Sequence, residues 1–335
     1  CAVLEAIDVG PAKSGPGVSA AIALAKAGER LLFAGQDVAA VAAATPDQAA
    51  EALARIVVRY KPEPFVIDTE RAMQEGAPVV HRGKVEERTT EGDEPGAGGS
   101  AGQRGNVRTS PSMKKGDAQK GLRAAKVVHE AMYTTQVHTH SALETHSIVV
   151  QWDDDKRATV WCSTQGIFSV RDEFAEVFGL KAADVRVHTD FMGGGFGAKF
   201  GASAPGSRMG FIAGELARLA KAPVRLVLDR EEEHTCTGNR PDSRQKVSLG
   251  AGPDGQLTAI HVQAHGTAGV GTGAGVGRNA FGIYSTCPNI LVESHDVFTH
   301  AGPATAMRAP GHPQGAFALE LALDELAAKL KLDPL

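Results

Sequence analysis

The stretch DFMGGGFGAKF, residues 190–200, surrounds one aromatic residue, Phe196, with four glycines. It follows a strand-like run, residues 185–188, and precedes a helical pattern that begins near Ser207. Because glycine lacks a Cβ atom, such a loop can adopt positive φ angles and offer its N–H groups to an anionic ligand. At Gly195, a β-branched residue would adopt a positive φ only at a cost and would block a ligand's approach. The alternative is a tight turn that only allows the strand and the helix to pack.

Two familiar phosphate-binding motifs do not match this loop. A P-loop requires Gly-Lys-Ser/Thr, in which the hydroxyl holds magnesium, whereas this chain has Ala198-Lys199-Phe200. A dinucleotide fingerprint requires glycines spaced G-x-G-x-x-G at the first strand-to-helix turn, and the loop differs in both spacing and context. The sequence therefore predicts a ligand of another kind.

Composition narrows the class of protein. The chain has 335 residues, enough for two or more domains, and a formal net charge of −4 with both signs mixed. This balance gives no electrostatic case for nucleic acid or an anionic membrane surface as a partner. No apolar stretch approaches the length that spans a bilayer. The cysteines form no C-x-x-C pair, so they predict neither a disulfide framework nor an iron–sulfur or structural zinc site; they are Cys1, Cys162, Cys236 and Cys287.

The pattern along the chain predicts two domains joined by a linker. Residues 1–85 have the alternation of a small α/β unit, in which Thr45 caps a helix whose first residue is Pro46. Residues 86–120 are rich in Gly, Ser, Thr, Pro and charges, which is typical of a flexible linker. Residues 121–335 form the second domain. Because the chain starts at a cysteine and ends just after a helical pattern, we expect it to be part of something larger.

Three histidines and a carboxylate lie close together in the sequence. His138 and His140 would share one face of an extended strand, and Glu144 and His146 follow. A zinc site on His138, His140 and His146 is therefore one hypothesis. Against it, an H-E-x-x-H motif is absent, and histidines also serve as hydrogen-bonding groups in a core.

Two further loops carry candidate ligand-binding residues. Gln165 lies on a strand-to-helix connection, where its amide can donate and accept at once and so suits a ligand oxygen. A glutamine that only braces the loop is the alternative. Arg308 lies in a turn just before the final helical pattern, where its guanidinium or the backbone could face an anion.

Together these loops match one family. Thr-Gln at 164–165, Gly-Gly-Gly-Phe-Gly-x-Lys at 193–199 and an Arg-x-x-Gly-x-Pro-Gln turn at 308–314 occur in order, with Leu-Glu-Thr-His at 143–146. The chain resembles, over nearly its whole length, the molybdopterin-binding large subunit of the xanthine dehydrogenase and aldehyde oxidase family. The resemblance implies a mixed α/β (α+β) fold. A hammerhead domain, lacking its first strand or so, would occupy residues 1–85, and the first part of the molybdopterin-binding domain would occupy 121–335.

The resemblance also implies a chemistry. In this family the pterin dithiolene holds molybdenum without protein side chains, and the enzyme hydroxylates an aldehyde or N-heteroaromatic carbon oxidatively with water as the oxygen source. Gln165 would lie near an oxo ligand, the glycine loop would present its backbone to the cofactor, and Arg308 would lie at the metal centre. The family's general base is a glutamate in a late segment that this chain does not contain. The implied cofactor contacts are Gln165, Gly194, Gly195, Phe196, Gly197 and Arg308.

Partners follow from the same resemblance. Because the chain lacks a cysteine pattern for clusters, we expect a partner with 2Fe–2S clusters, a partner with FAD, and a second chain or segment that completes the molybdopterin domain. The pterin is either the simple form or the cytosine dinucleotide. The expected location is the cytoplasm, with the periplasm as the alternative that bacterial aldehyde-oxidising relatives suggest. A non-catalytic structural or assembly fragment of such a complex is the competing hypothesis.

Departures from the family pattern narrow the substrate. Relatives that oxidise purines carry glutamate in place of Phe200, phenylalanine in place of Pro310 and an arginine close to Val276, where this chain has Arg278 nearby. The resemblance therefore argues against xanthine. Copper-containing carbon monoxide dehydrogenases carry cysteine where this chain has Ala309. An aldehyde or N-heteroaromatic substrate remains, and the pattern is closest to bacterial aldehyde-oxidising members. The expected substrate-pocket residues are Phe200, Arg278 and Pro310.

Overall fold

A computed structural model describes residues 1–83, 85, 102–271 and 273–334. The chain forms two compact units, each assembled from separate segments. The first unit comprises Cys1–Phe65, Thr139–Gly238 and His300–Pro303, and the second comprises Val66–His138, Asn239–Thr299 and Ala304–Leu335. Both contain helices and strands, which confirms the predicted mixed α/β fold class.

Helices and strands are interspersed along the described chain. In order, the elements are β1 (Ala2–Asp8), α1 (Gly10–Lys13), β2 (Val18–Ala23), β3 (Arg30–Leu31), β4 (Ala39–Ala43), α2 (Pro46–Leu53), β5 (Val57–Pro62), α3 (Thr69–Met73), β6 (Gly102–Arg104), β7 (Val107–Thr109), β8 (Met113–Lys115), α4 (Ala118–Ala124), β9 (Val127–Thr135), β10 (Ser147–Asp154), β11 (Arg157–Cys162), α5 (Ile167–Phe178), a 3-10 turn (Ala182–Asp184), β12 (Val185–His188), α6 (Met209–Ala220), β13 (Val224–Val227), α7 (Arg230–Cys236), β14 (Ser243–Ala251), β15 (Leu257–Gly269), α8 (Asn279–Ile283), β16 (Ile290–Phe298) and α9 (His312–Leu330).

The first unit is built around a four-stranded sheet with the order β12-β11-β10-β13. Its strands alternate buried and outer positions, as Ile148 and Val150 do in β10, so one face supplies a core. Helices α5 and α6 cover that face and contribute Phe174 and Leu216. The unit also holds the three-stranded sheet β3-β1-β5 and the two-stranded sheet β2-β4.

Helices α5 and α6 fix the ends of the two loops that matter for function. Helix α5 starts directly after Gly166 and ends at Gly179, whose φ of 66° suits a left-handed cap. Helix α6 follows the glycine loop, and Trp152 of β10 donates to its Gly214 carbonyl oxygen at 2.9 Å. Since both helices pack on one sheet, the loop before each helix starts from a rigid base.

The second unit is a larger sheet covered by one long helix. The strand order is β6-β7-β16-β15-β14-β9, with β8 also paired to β16, and β15 lies parallel to β16. Helix α9 packs on the sheet through residues such as Leu319 and Leu326, which join Leu249 and Ile260 in the core. No helix of the described ranges is long and apolar enough to cross a bilayer.

The predicted flexible linker is wrong for residues 102–115. They form β6, β7 and β8. Strand β6 pairs with β7, and β7 and β8 each pair with the distant β16, so their stability comes from pairing rather than from an apolar pattern of their own. The linker residues 86–101 lie outside the described part of the chain. The domain boundaries at residues 85 and 120, and the hammerhead assignment, stay predictions.

Asn106 ties this region to its surroundings. Its side chain is 3% exposed; Oδ1 accepts from Val80 N at 2.9 Å, and Nδ2 donates to the carbonyl oxygens of Ala72 and Pro78 at 3.2 and 3.0 Å. An amide can satisfy all three backbone groups because it both donates and accepts.

Replacing Asn106 by alanine should therefore destabilise the second unit. The change leaves an N–H and two carbonyl groups without partners, and we expect a loss of roughly 3 kcal/mol in the free energy of unfolding. Urea unfolding followed by circular dichroism measures it. Gln103→Ala is the control, because the Gln103 side chain makes one exposed contact to Gly105 O; equal stability of the two variants would contradict the role of Asn106.

Candidate functional site

The predicted site residues fall into two groups. Gln165, the glycine loop and Phe200 belong to the first unit. Arg278, Arg308 and Pro310 belong to the second unit.

The side chain of Gln165 is fixed by the glycine loop. Its Oε1 accepts from Gly197 N at 2.8 Å and, over a longer distance of 3.4 Å, from Lys199 N. The backbone N–H of Gln165 donates in turn to Lys199 O at 2.5 Å. Within the described part of the chain, the Nε2 group of Gln165 meets no acceptor, and the residue is exposed. Gln165 thus braces the loop with its oxygen and presents its N–H donors outward.

The loop itself carries unused backbone donors. Gly194, Phe196 and Gly197 have φ angles of 101°, 53° and 113°, so the chain turns through the left-handed region there. The N–H groups of Gly194, Gly195 and Phe196 donate to no residue that the structure describes. Successive N–H groups in such a turn form a concavity that binds an anionic or oxygen ligand.

Gly195 is needed for a reason other than the predicted one. Its φ is not positive, so the expectation of a positive φ at this position is wrong. A Cβ atom there would lie 2.8 Å from Cγ of Gln165 and closer still to the end of that side chain. Gly195 is therefore required by the close approach of Gln165, a contact between residues thirty positions apart.

A buried lysine holds the start of the loop. Lys199 is 1% exposed, and its Nζ donates to Glu144 O at 2.7 Å and to Ser163 Oγ at 2.9 Å. The Glu144 carboxylate lies 3.7 Å from the ammonium. Its Oε2 accepts from Ser163 Oγ at 2.9 Å and from Gly193 N at 2.6 Å. The charge of Lys199 is thereby linked through Glu144 to the first glycine of the loop.

Burial and neighbouring groups act in opposite directions on the pKa values of both members of this pair. Burial would raise the pKa of Glu144, but hydrogen bonds from Gly193 N–H and the Ser163 hydroxyl, with the charge of Lys199, hold it below its usual value. Burial lowers the pKa of Lys199, and the nearby carboxylates of Glu144 and Glu233 act in the opposite direction. Because both side chains are engaged by fixed partners, the pair acts as a brace for the loop.

A second buried pair holds the end of the loop. Helix α7 places Glu233, 1% exposed, so that its carboxylate lies 2.9 Å from His146 Nδ1. Burial alone would raise the pKa of Glu233. The hydrogen bonds from His146 oppose burial, and the pKa lies below its usual value, which favours the ionised carboxylate. His146 Nε2 lies 3.0 Å from Ala198 O. Both ring nitrogens of His146 are therefore engaged, one by the Glu233 carboxylate and the other by the Ala198 carbonyl oxygen.

This pairing leaves the zinc hypothesis without support. His146 already uses both ring nitrogens, on Glu233 and on the loop. In the described residues, no three side chains of His, Cys, Asp or Glu come together as metal ligands would.

Two residues of the second-unit group, Arg308 and Pro310, lie in the turn before α9. Ala309 and Gly311 have φ angles of 58° and 76°, and α9 starts at His312. Arg308 and Pro310 are exposed, and the Arg308 carbonyl oxygen accepts from Arg240 Nη2 at 2.8 Å. Arg278 is half-buried just before α8.

Sequence reasoning missed the residues that support the loop. The sequence predicts no supporting role for Lys199, which enters only as part of the Gly-Gly-Gly-Phe-Gly-x-Lys motif and the P-loop comparison, or for Glu233 and Arg240. A lysine in a stretch of glycines and apolar residues was the one available signal. Such a residue must be either a ligand contact or a buried charge with partners.

Residues 101–335 match the family model of the molybdopterin cofactor-binding domain. The chain belongs to this family. The match spans the glycine loop, Gln165 and the Arg308 turn, and it confirms the family predicted from those three segments.

Individual relatives agree. The large molybdopterin subunit of nicotinate dehydrogenase from Eubacterium barkeri is 29% identical over 307 residues, covering 90% of this chain and 66% of that relative. The aldehyde oxidoreductase molybdenum-binding subunit PaoC from Escherichia coli (strain K12) is 32% identical over 229 residues, covering 67% of this chain and 30% of PaoC. Reconstituted CO dehydrogenase from Oligotropha carboxidovorans has the same fold, with a TM-score of 0.81, 24% identity, and coverage of 99% of this chain and 44% of its own. The chain thus spans less than two thirds of each of these proteins.

The first-unit residues fit the family's cofactor. The loop offers backbone N–H groups without protein acceptors, and Gln165 offers amide donors that are already fixed in place. A side chain at Gly195 would displace that amide. A concave set of neutral donors suits the oxygen-rich face of a molybdopterin group.

Replacing Gly195 by alanine should release Gln165 while leaving the fold intact. The added Cβ forces the Gln165 side chain to move, so Gly197 N–H loses its acceptor. We expect a stability change below about 1 kcal/mol, because the displaced group is the end of a flexible side chain. Hydrogen exchange at Gly197 should accelerate. Gly282→Ala is the matched control, since no atom lies within 4 Å of its Cβ position; unchanged exchange at Gly197 would show that Gly195 has another role.

Proposed function

We propose that this chain supplies the cofactor-binding part of a molybdenum hydroxylase that oxidises an aldehyde or N-heteroaromatic carbon with water as the oxygen source. The observation that carries the proposal is the Gln165 amide, whose oxygen is held 2.8 Å from Gly197 N so that its N–H donors are fixed and exposed. Donors that need no reorganisation suit an oxygen ligand of a redox centre. Membership of the molybdopterin cofactor-binding family supports a molybdopterin group as the ligand of those donors.

The proposal gives the cofactor and the protein separate roles in the reaction. A bound molybdopterin with its molybdenum would supply the two-electron redox chemistry. The proposed contacts from this chain are Gln165, Gly194, Gly195, Phe196, Gly197 and Arg308. The relatives' names attach molybdenum or molybdopterin to their subunits, and the cytosine dinucleotide form is part of the proposal.

The chain's own residues are proposed to orient the glycine loop and hold it in place. The Lys199–Glu144 pair and the His146–Glu233 pair anchor Gly193 and Ala198 at either end of the loop. Neither pair is proposed to move a proton during turnover, because Lys199, His146 and Glu233 are buried and both pairs already have hydrogen-bond partners. The proton acceptor is proposed to be a glutamate of the full protein outside this chain.

The substrate class rests on Phe200. This residue, partly buried after Lys199, offers an apolar surface at the position where the family resemblance implies a glutamate in purine-oxidising members. An apolar contact favours an aldehyde or a neutral heteroaromatic ring over a purine that must be hydrogen-bonded. Arg278 and Pro310 stay proposed substrate contacts.

Partners complete the proposal. The two curated relatives are named as subunits, which supports an assembly of several chains. We assign the electron acceptors to a 2Fe–2S partner and an FAD partner, and the remaining part of the molybdopterin domain to another segment or chain. A cytoplasmic location is proposed, with the periplasm as the alternative. A structural or assembly fragment without chemistry is the competing function.

Metal analysis of the intact complex separates the two functions. The full protein, isolated with its natural partners, should contain about one molybdenum and one molybdopterin per chain if the family's cofactor chemistry applies. Elemental analysis and pterin fluorescence after oxidation measure both. An intact preparation free of both would establish the structural alternative.

Gln165→Glu tests the amide specifically. The carboxylate keeps the acceptor for Gly197 N–H and the side-chain shape but removes the N–H donors. We expect a folded protein whose kcat falls by roughly a hundredfold, the size of effect seen when one preorganised donor is removed. Steady-state kinetics of the complex measure it. Gln151→Glu, in the same unit but on β10, should retain wild-type turnover. If Gln165→Glu also does, Gln165 is only a loop brace.

A further inference from the structure

Arg240 is a buried cation of the second unit. It lies just before β14, and its side chain is 6% exposed. Its Nη2 donates to Arg308 O at 2.8 Å, and its Nη1 makes longer contacts with Ala309 O at 3.5 Å and Gln314 Oε1 at 3.4 Å. All of these acceptors are neutral. Within the described part of the chain, no carboxylate pairs with this guanidinium.

Such an arrangement is unfavourable unless something offsets the charge. Burial lowers the pKa of Arg240, yet a guanidinium stays protonated in proteins, so the positive charge persists inside the unit. Burying an unpaired charge costs free energy that neutral carbonyl groups offset only in part. An anionic ligand near the Arg308 turn would offset the remainder.

The turn in front of Arg240 has a defined polarity. The Arg308 carbonyl oxygen points at the guanidinium, and in a trans peptide the N–H of the next residue points the opposite way. The N–H of Ala309 therefore faces away from Arg240, and it has no acceptor among the residues that the structure describes. A cation on the carbonyl side of a peptide strengthens the N–H as a donor.

A glutamine pair holds this arrangement rigid. Gln314, 2% exposed in the first turn of α9, contacts Arg240 through Oε1 and donates from Nε2 to Pro241 O at 3.2 Å. Gln245, 1% exposed, donates to Gln314 O at 2.8 Å. Arg240 is therefore locked to both β14 and α9, and the turn has little freedom to relax.

We infer that Arg240 is a positioning residue: its guanidinium holds the carbonyls of the Arg308 turn inward, so that Ala309 N–H and the Arg308 side chain face the anionic molybdopterin. The ligand's negative charge offsets that of Arg240. This inference rests on the proposed function. Arg240 touches neither cofactor nor substrate and acts through the turn.

A purely structural role gives a different set of results. If Arg240 only donates hydrogen bonds to buried carbonyl groups, its replacement lowers the free energy of unfolding of cofactor-free and cofactor-loaded protein by the same amount. If it positions the turn for an anion, replacement reduces cofactor retention and shrinks the gain in Tm that the cofactor confers.

The experiment uses the full protein with its natural partners as wild type, Arg240→Met, Arg240→Lys and Arg244→Met. Arg244 is the control because it lies on β14 and forms an exposed ion pair with Glu70. We expect pterin content per chain to fall on the order of tenfold in Arg240→Met, since a charged hydrogen bond is lost. Arg240→Lys should be intermediate, because it keeps the charge but not the fork. Arg244→Met should match wild type.

A measurement on wild type alone keeps the test decisive if Arg240→Met does not fold. Ala309 N–H should exchange quickly in pterin-free protein and be protected when the pterin is bound. Unchanged exchange at Ala309, or wild-type pterin retention and cofactor-dependent Tm in the Arg240 variants, overturns the inference. Wild-type protein without pterin would instead refute the proposed function, so the two failures are distinguishable.

Discussion

The burial of the Lys199 ammonium is the constraint on which the glycine loop depends. A charge that is 1% exposed must find its hydrogen-bond partners within the protein, and Lys199 finds them on Glu144, Thr145 and Ser163. The same residue's backbone holds Gln165 through both its N–H and its carbonyl. The side chain of Lys199 thus fixes the segment before β10 and the end of β11, and its backbone fixes the Gln165 connection. Replacing it by an apolar residue would leave several buried polar groups unsatisfied at once.

Each glycine of the loop answers a separate physical demand. Gly194 and Gly197 have backbone angles that favour glycine, whereas Gly193 and Gly195 give way to the side chains of Glu144 and Gln165. Phe196 adopts a positive φ of 53° without being glycine, which costs of order 1 kcal/mol that the surrounding anchors must supply. Because the Lys199–Glu144 and His146–Glu233 pairs hold this strained loop in place, the loop is preorganised rather than flexible. Preorganised donors are of use to a ligand because no reorganisation accompanies binding.

The sequence predicts the features that depend on local pattern. Caps, hairpins and the positions of the three loops follow from residues near each other, as at Thr45 and Gly179. Long-range polar contacts have no such pattern, so the burial of Lys199 and the clash that requires Gly195 were not predictable. The strands at 102–115 were missed because their stability comes from β16, far along the chain. Family membership was recognisable because it rests on short motifs, whereas their supporting residues lie elsewhere in the sequence.

The two buried cations differ in a way that bears on the ligand. Lys199 is a compact charge matched by the Glu144 carboxylate, so the first-unit loop is close to neutral and presents dipoles, which orient a ligand without selecting its charge. Arg240 donates to neutral carbonyl groups, and no carboxylate of the described residues pairs with it, so the proposal leaves its charge for an anionic ligand to offset. The roles proposed for the two regions, orientation of a ligand by the first-unit loop and recognition of charge by the second-unit turn, can therefore be tested by separate variants.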